Sequence, residues 1–185
     1  MTLRAPIPVV NAVACLVYVL SFLSACTSSS RPASLNSQRT KKRGQTEVLD
    51  VNRDGKTDLW RTRDPEKPEI LLSDSADLNF DGKVDLERTY QEAKLLEVNI
   101  DLDFDGRYDV KEIYSLGQLE QVQSSQSFTG QMNTWKYYQN GQLTRIERDT
   151  NANGRPDEWT YYQDNKVQRI GKDLNHDGVV DVWVN

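Results

Sequence analysis

A nine-residue acidic segment at 101–109, with the sequence DLDFDGRYD, holds the residues best suited to chemistry in this chain. Its first, third, fifth and ninth positions are aspartates, and its sixth is glycine. In a tight loop the side chains at positions 1, 3 and 5 can converge on one point, the glycine permits the sharp turn, and the seventh carbonyl faces inward. The ninth carboxylate then closes the cage. Such oxygen-only coordination suits Ca²⁺, so the segment is a candidate metal-binding loop.

The acidic segment recurs along the chain with a fixed period. The gap between the copies at Asp101 and Asp149 holds a degenerate copy, SQSFTGQMN at 125–133, in which serine, threonine and asparagine replace the carboxylates. The sequence therefore predicts six units of about 24 residues, a period typical of repeat architectures. We number the segments in chain order: loop 1 (50–58), loop 2 (77–85), loop 3 (101–109), loop 4 (125–133), loop 5 (149–157) and loop 6 (173–181).

Strand-forming residues follow each loop at regular positions. Counted from the first loop residue, position 11 is tryptophan in four units and position 14 is tyrosine in four. Turn sequences such as Asn140-Gly141 separate these aromatics from a second, aliphatic group, which is a strong hairpin signal. We therefore expect an all-β fold of tandem β-hairpin repeats that form an elongated antiparallel meander or a β-solenoid-like rod. The sequence DPEKP at 64–68 predicts a longer turn in the first unit.

The aromatic positions allow two interpretations. Positions 11 and 14 differ by three, so either a bulge separates them or both faces of the sheet are partly covered. The ladder could be a stacking platform for carbohydrate. We favour a packed core, since each unit has few other large apolar groups. The members of the ladder are Trp60, Trp135, Trp159 and Trp183 at position 11, and Tyr90, Tyr114, Tyr138 and Tyr162 at position 14.

Residues 1–25 have the features of a secretory signal peptide, with an early Arg4 and an apolar run at 9–23. This run is shorter than the roughly 20 apolar residues that a transmembrane helix needs. The sequence LSAC at 23–26 resembles the lipobox of bacterial lipoproteins. That resemblance implies that Cys26 becomes the first mature residue and carries a diacylglyceryl thioether and an N-acyl chain such as palmitate, which would anchor it stably. An ordinary signal peptide followed by an incidental cysteine is the alternative.

The location of the mature protein follows from the same resemblance. Thr27 is not the aspartate that favours inner-membrane retention in enteric bacteria, so we expect the outer membrane, on either its periplasmic or its surface side. Cys15 lies within the apolar run, so the exported domain has no cysteine for disulfides or catalysis. Metal ions could take the place of disulfides as stabilising cross-links.

The remainder of the chain divides into a tether and an acidic domain. Residues 26–46 are predicted to be the lipidated cysteine and a disordered tether, which is serine-rich and carries a basic cluster at 39–43. The cluster could attract anionic lipids or acidic glycans, or it could simply be solvated. Residues 47–185 form the repeat domain, with all 28 acidic residues of the chain against 17 basic ones, for a net charge of −11. Such a domain should repel nucleic acid and attract divalent cations.

The carboxylate at position 9 makes the acidic loops resemble the calcium loops of integrin-type FG-GAP repeats and, less closely, of thrombospondin type 3 repeats. This resemblance covers the loops only, because the period is too short for a propeller blade and the thrombospondin cysteines are absent. The rest of each unit resembles MORN-type hairpins weakly. EF-hands also require a glutamate at position 12, which only Glu112 supplies, and helical flanks. Five copies in register argue against chance, and hydrogen-bonded Asx turns without metal are the alternative.

The FG-GAP resemblance implies that each acidic loop binds Ca²⁺ through side chains at positions 1, 3, 5 and 9 and the carbonyl at position 7. Because more carboxylates raise the affinity, loop 3 should bind first, loop 5 last and loop 4 not at all. Extracellular modules bind calcium at about 10⁻⁴ to 10⁻³ M, which is typical of structural sites. The implied ligands are Asp50, Asn52, Asp54, Lys56 (carbonyl) and Asp58; Asp77, Asn79, Asp81 and Asp85; Asp101, Asp103, Asp105 and Asp109; Asp149, Asn151, Asn153 and Asp157; and Asp173, Asn175, Asp177 and Asp181.

Together these features predict a non-enzymatic envelope lipoprotein whose calcium-stabilised repeats act as a structural or binding scaffold. Its partners would be the membrane, through Cys26, and other envelope proteins or extracellular glycan. One alternative is a subunit of an envelope secretion, adhesion or motility complex, in which an open sheet edge at Trp183 pairs with a partner strand. Another is a glycan hydrolase with paired carboxylates. We disfavour it because the acids repeat evenly and the single histidine, His176, is expected to be solvated.

Overall fold

Twelve antiparallel strands form one open sheet in the computed structural model, which describes residues 46–184. Their order in the sheet is their order in the chain. The predicted all-β class is confirmed, and of the two arrangements left open the structure has the antiparallel meander. The strands are β1 (Thr46–Leu49), β2 (Leu59–Arg63), β3 (Leu71–Ala76), β4 (Leu86–Gln91), β5 (Lys94–Ile100), β6 (Val110–Ser115), β7 (Gln118–Ser124), β8 (Thr134–Gln139), β9 (Gln142–Arg148), β10 (Glu158–Gln163), β11 (Lys166–Lys172) and β12 (Val182–Val184).

The N-terminal features of the sequence fall outside this structure. The predicted signal peptide, the lipid-modified Cys26 and all but the last residue of the tether precede the described residues, and the domain boundaries drawn around them stay predictions. Within residues 46–184 no helix is long and apolar enough to cross a membrane.

Two kinds of connection alternate along the sheet. Each odd-numbered strand leads through one of loops 1 to 6 into an even-numbered strand, and each even-numbered strand before β12 leads back through a turn. Asn140 (φ 50°) and Gly141 (φ 77°) both have positive φ, as type I′ hairpin turns require. Because the connections of a meander alternate between strand ends, all six loops lie along one rim of the sheet and the turns along the other.

The first turn is longer than the others, as the sequence predicted. It covers 64–70, where the Asp64 N–H donates to the Ile70 carbonyl (2.9 Å). The Asp64 carboxylate in turn accepts the N–H groups of Glu66 (2.8 Å) and Lys67 (3.1 Å). These bonds give partners to backbone N–H groups of the turn. Its two prolines prevent it from forming a two-residue turn like those of the other hairpins.

Each of the tight hairpins carries a β-bulge at the same place. Ile113 pairs with Gln121, but the next residue, Tyr114, pairs with Leu119, so one residue of β7 is left without a partner. The bulge therefore lies between positions 13 and 14 of the repeat, and it increases the local twist of the strands. Equivalent register shifts precede Tyr90, Tyr138 and Tyr162.

The tryptophans and tyrosines of the repeat lie on opposite faces of the sheet. Tyr114 donates a hydrogen bond to Glu112, two residues earlier, so positions 12 and 14 share a face. Position 11 points to the other face, because side chains alternate along a strand. We call the two surfaces the tyrosine face, which carries Tyr90, Tyr114, Tyr138 and Tyr162, and the tryptophan face, which carries Trp60, Trp135, Trp159 and Trp183.

The buried core lies on the tyrosine face and is aliphatic. Leu86, Ile100 and Val110 are in register on neighbouring strands and are 2, 0 and 3% exposed. Val98 lies two residues from Ile100 on the same face and is also fully buried. No repeat aromatic within residues 46–184 is buried to this degree. The expectation that the aromatic ladder forms the core is therefore wrong: the buried side chains are aliphatic, and the tryptophans lie on the opposite face.

Arginines stack on aromatic rings of the tryptophan face. The Arg145 guanidinium lies 4.2 Å from the Tyr137 ring centroid, and that of Arg169 lies 4.7 Å from Tyr161 and 4.3 Å from Trp183. The sequence reasoning missed the two tyrosines, which stand at position 13, although the paired tyrosines at 137–138 and 161–162 were visible. A carbohydrate platform here would have to displace these cations from the rings.

One buried acid on the tyrosine face makes the stability depend on pH. The Tyr114 hydroxyl donates to the Glu112 carboxylate (2.6 Å), and Glu112 is 6% exposed. Burial raises the pKa of Glu112 above its ordinary value of 4.5. The folded state therefore holds this proton more tightly than the unfolded state, so the contribution to stability is complete below pH 4.5 and is lost as the pH rises through the raised pKa.

We expect Glu112→Gln to stabilise the protein at pH 7, because it removes the buried charge and keeps an acceptor for Tyr114. The gain in melting temperature over wild type should shrink as the pH is lowered towards 4.5. Thermal melts between pH 4.5 and 8 test this, with Glu120→Gln, an exposed position on β7, as the control for the change in net charge. A loss of stability at pH 7 would mean that the bond from Tyr114 to the ionised carboxylate outweighs the cost of burial.

Candidate metal centre

Backbone hydrogen bonds hold the six loops in a regular series along one rim. In every loop the N–H of position 9 donates to the carbonyl just before the loop, as from Asp109 to Ile100 (2.8 Å). The N–H of position 1 donates to the position 9 carbonyl of the preceding loop, as from Asp101 to Asp85 (2.7 Å). Backbone hydrogen bonds alone thereby hold the last residue of every loop and the first residue of every loop after loop 1.

In each of the five acidic loops the carboxylate at position 1 accepts backbone N–H groups from within the loop. In loop 3 the Asp101 carboxylate accepts the N–H groups of Phe104 (2.8 Å) and Gly106 (2.7 Å). Positions 4 and 6 are left-handed in all six loops, for example Phe104 at φ 65° and Gly106 at φ 93°. Glycine at position 6 signals this conformation in the sequence, but phenylalanine, arginine or alanine at position 4 does not. That turn was therefore missed from sequence.

Loop 3 brings three carboxylates together. One oxygen from each of Asp101, Asp103 and Asp109 lies within 4.8 Å of the other two, a separation at which a single cation could contact all three. Asp101 and Asp109 are buried, whereas Asp103 is exposed to solvent. The fourth predicted side-chain ligand, Asp105, is not in this group; its carboxylate accepts the Arg107 N–H (2.8 Å).

Asp109 has an oxygen with no partner. Its Oδ2 accepts the Leu102 N–H (2.9 Å), but its Oδ1 is buried and has no hydrogen bond. A buried charged oxygen without a partner costs several kcal/mol unless something neutralises it, on the order of the desolvation penalty of the group. Asp109 is 0% exposed, so this oxygen lies away from bulk solvent. A cation held between Asp101, Asp103 and Asp109 would neutralise this carboxylate.

The electrostatics of loop 3 favour a cation. Partial desolvation raises the pKa of Asp103, and the negative charges of Asp105, Asp109 and Asp101 add to the increase. Tyr108 lies next to Asp109 in the chain, and its pKa is raised to about 12 by burial, by the charge of Glu87 and by the hydrogen bond to it. Desolvation is the largest cause of both shifts, and the smaller contributions from neighbouring carboxylates reflect the negative charge of this rim, which attracts divalent cations.

The other acidic loops share the frame but have fewer charges. Position 3 is asparagine in loops 1, 2, 5 and 6, so only loop 3 offers a carboxylate there. In loop 5 a second orphan oxygen occurs, the buried Oδ2 of Asp157. This was the loop expected to bind most weakly. In loop 2 burial raises the pKa of Asp85, with the charges of Asp77 and Asp101 adding to it.

Loop 4 keeps the same shape without carboxylates. Asn133 at position 9 accepts the Gln126 N–H (3.1 Å), and Ser125 at position 1 accepts the Thr129 N–H (3.1 Å). The Ser125 N–H also donates to the Asp109 carbonyl (2.8 Å), which continues the series along the rim. Loop geometry alone is therefore not a sign of metal, and the partnerless oxygen in loop 3 is the stronger indication.

His176, at position 4 of loop 6, contacts loop 5. Its Nδ1 is 2.7 Å from the side-chain nitrogen of Asn151, one of the implied ligands of loop 5. Both groups are exposed, as expected for the histidine. The contact ties loops 5 and 6 together through side chains as well as backbone.

Comparison with known proteins adds nothing to this geometry. No protein-family model matches the chain, and no curated protein is significantly similar to it. The resemblances to lipoproteins and to FG-GAP calcium loops therefore depend on the motif residues alone and stay predictions.

Proposed function

We propose that this chain is a non-enzymatic envelope lipoprotein, anchored through Cys26, whose sheet is stabilised by Ca²⁺ in its acidic loops. The sheet would serve as a structural or binding scaffold for other envelope components. The observation that carries the metal proposal is the buried, partnerless Oδ1 of Asp109 beside Asp101 and Asp103.

The donor set supports calcium over other cations. All implied ligands are oxygens, and carboxylate and carbonyl oxygens suit hard cations such as Ca²⁺, Mg²⁺ and Mn²⁺ rather than Zn²⁺ or Cu²⁺. Mg²⁺ demands near-ideal octahedral geometry and keeps several waters. A loop that contributes closely placed carboxylates from both of its ends suits the larger, more adaptable coordination of Ca²⁺.

The arrangement of the loops supports a scaffold role. Each strand contacts only its neighbours in the chain, so the loops and both faces extend with every added unit. Repeat proteins of this kind usually bind through their extended surfaces. The implied ligands recur from loop to loop instead of forming one unlike pair, which is what a hydrolase with two carboxylates would need.

We expect isothermal titration calorimetry of the purified protein to detect Ca²⁺ binding, with the tightest site in loop 3 at a dissociation constant of about 10⁻⁴ to 10⁻³ M, the range for extracellular modules. Asp109→Asn should remove that site. Asp164→Asn, which makes the same change in a hairpin turn on the opposite rim, should leave the binding curve unchanged. Binding that is absent from the wild-type protein, or equal in the two variants, would contradict the proposal.

A further inference from the structure

The two edge strands of the sheet expose apolar side chains. Leu49 on β1 and Val182 on β12 are 56 and 42% exposed, and Val48 and Trp183 are exposed to a similar extent. A shallow groove of about 190 Å³ runs beside β1 and is lined in part by Val48, Leu49 and Leu59. Open edges with apolar side chains are templates for pairing with another strand.

The two edges are complementary halves of one hairpin. Every even-numbered strand before β12 pairs with the odd-numbered strand that follows it across a turn. β12 is an even-numbered strand with no following partner in the described chain, and β1 is an odd-numbered strand with no preceding one. Each edge therefore lacks the kind of strand that the other edge provides.

We propose that copies of this chain associate head to tail, with β1 of one copy pairing antiparallel with β12 of the next. The register follows from β10 and β11, where Glu158 pairs with Lys172 and Trp159 with Gly171. Transferred to the edges, Val182 faces Leu49 and Trp183 faces Val48. The exposed apolar residues of both edges then meet each other.

The loops support the same register. Within residues 46–184, each loop after the first joins its predecessor through the bond from the position 1 N–H to the position 9 carbonyl, up to the bond from Asp173 to Asp157 (2.9 Å). In the head-to-tail pair, the Asp50 N–H of the second copy reaches the Asp181 carbonyl of the first. The series then continues across the junction, and because the contact is heterologous it repeats rather than closes.

A second copy fits these edges better than an unrelated strand or a symmetric pair. An unrelated strand would satisfy one edge and leave the other open. Symmetric pairing of two β12 strands would bring together two even-numbered strands. In this sheet every even-numbered strand pairs only with odd-numbered ones. The interface is a few residues long, so association should be weak in solution. The contact uses strand edges and does not depend on the metal.

Analytical ultracentrifugation of the purified protein in calcium, up to about millimolar concentration, tests the proposal. Wild type should show an average mass that rises with concentration. Leu49→Glu blocks β1, and Val182→Glu blocks β12 while placing its carboxylate opposite Lys172 within its own sheet. Each variant alone should be monomeric. Val167→Glu, the same kind of change at an exposed site inside the sheet, should behave as wild type.

Mixing the two blocked variants gives the sharpest result. The intact β1 of Val182→Glu can pair with the intact β12 of Leu49→Glu, but the remaining two edges carry opposed glutamates. The mixture should therefore form a 1:1 dimer and nothing larger. Dimers of Leu49→Glu alone would indicate symmetric β12 pairing, and a wild-type protein that stays monomeric would also overturn the proposal. Circular dichroism of each variant confirms that loss of association is not loss of fold.

Discussion

Transfer of the wild-type protein from 10 mM calcium to excess chelator should lower its melting temperature by about 5 °C or more. A ligand that binds only the folded state stabilises it by about 1.4 kcal/mol at ten times its dissociation constant and by about 2.7 kcal/mol at a hundred times. For a domain of this size each kcal/mol corresponds to about 3–5 °C. In 10 mM calcium, loop 3 alone would contribute between these two figures for a dissociation constant between about 10⁻³ and 10⁻⁴ M, and further loops would add to it.

The variant Asp109→Asn sharpens this test, because its effect should change sign with calcium. In calcium the variant lacks a ligand of the strongest site and should melt below wild type. In chelator the wild-type protein has a buried carboxylate oxygen without a partner, and the amide removes that charge while its oxygen still accepts the Leu102 N–H. There the variant should melt at or above the temperature of wild type. The relief of desolvation should raise its free energy of unfolding by about 1 kcal/mol or more.

Two results would contradict the calcium assignment. Superimposable melts of wild type with and without calcium would reduce the acidic loops to hydrogen-bonded turns, like loop 4. A variant that is equally destabilised in both buffers would show that Asp109 acts only through its bond to Leu102. The Asp164→Asn control should shift neither curve, because that turn lies on the rim away from the loops.

Ile100→Ala should lower the free energy of unfolding by about 2–4 kcal/mol, and the melting temperature by about 10 °C. Ile100 is fully buried, between Leu86 and Val110 on the neighbouring strands. Its truncation leaves a cavity among the aliphatic residues of the tyrosine face. Urea unfolding followed by circular dichroism measures the loss.

The matched control is Val167→Ala, a truncation at a position of β11 that is 53% exposed. It should change the free energy of unfolding by less than about 0.5 kcal/mol, as surface substitutions usually do. Equal losses in the two variants would mean that stability is spread evenly over the sheet, and that the aliphatic rows are not its main support.

Much of this fold could be predicted from the sequence, because a period of about 24 residues fixes where each element recurs. The turn Asn140-Gly141 indicated its hairpin directly. The turn Glu92-Ala93 did not, since neither residue favours the positive φ that both adopt. Only the period of the repeat, and no residue type in the turn itself, predicts a turn at this position.

The faces and the metal centre were harder to predict. Alternation along the strand puts Trp135 and its equivalents on the face away from the core, and no residue type in the sequence marks the bulge before Tyr114. That loop 3 brings carboxylates together could be predicted, because charge at positions 1, 3 and 9 is a property of sequence. Two features of loop 3 could not be read from its sequence pattern, because they depend on the folded geometry. The Asp105 carboxylate accepts an N–H of its own loop, and Asp109 has an oxygen without a partner.

The order of the strands also bears on how the chain folds. All-β proteins usually fold slowly, because strands far apart in sequence must meet and the closure of long loops costs entropy. Here every strand pairs only with its neighbours in the chain, so paired residues are close in sequence. Thr46, for example, pairs with Thr62. The contact order is therefore low and does not grow with the number of units. Each hairpin can add to the edge already formed as the chain emerges, and folding need not await the C-terminus.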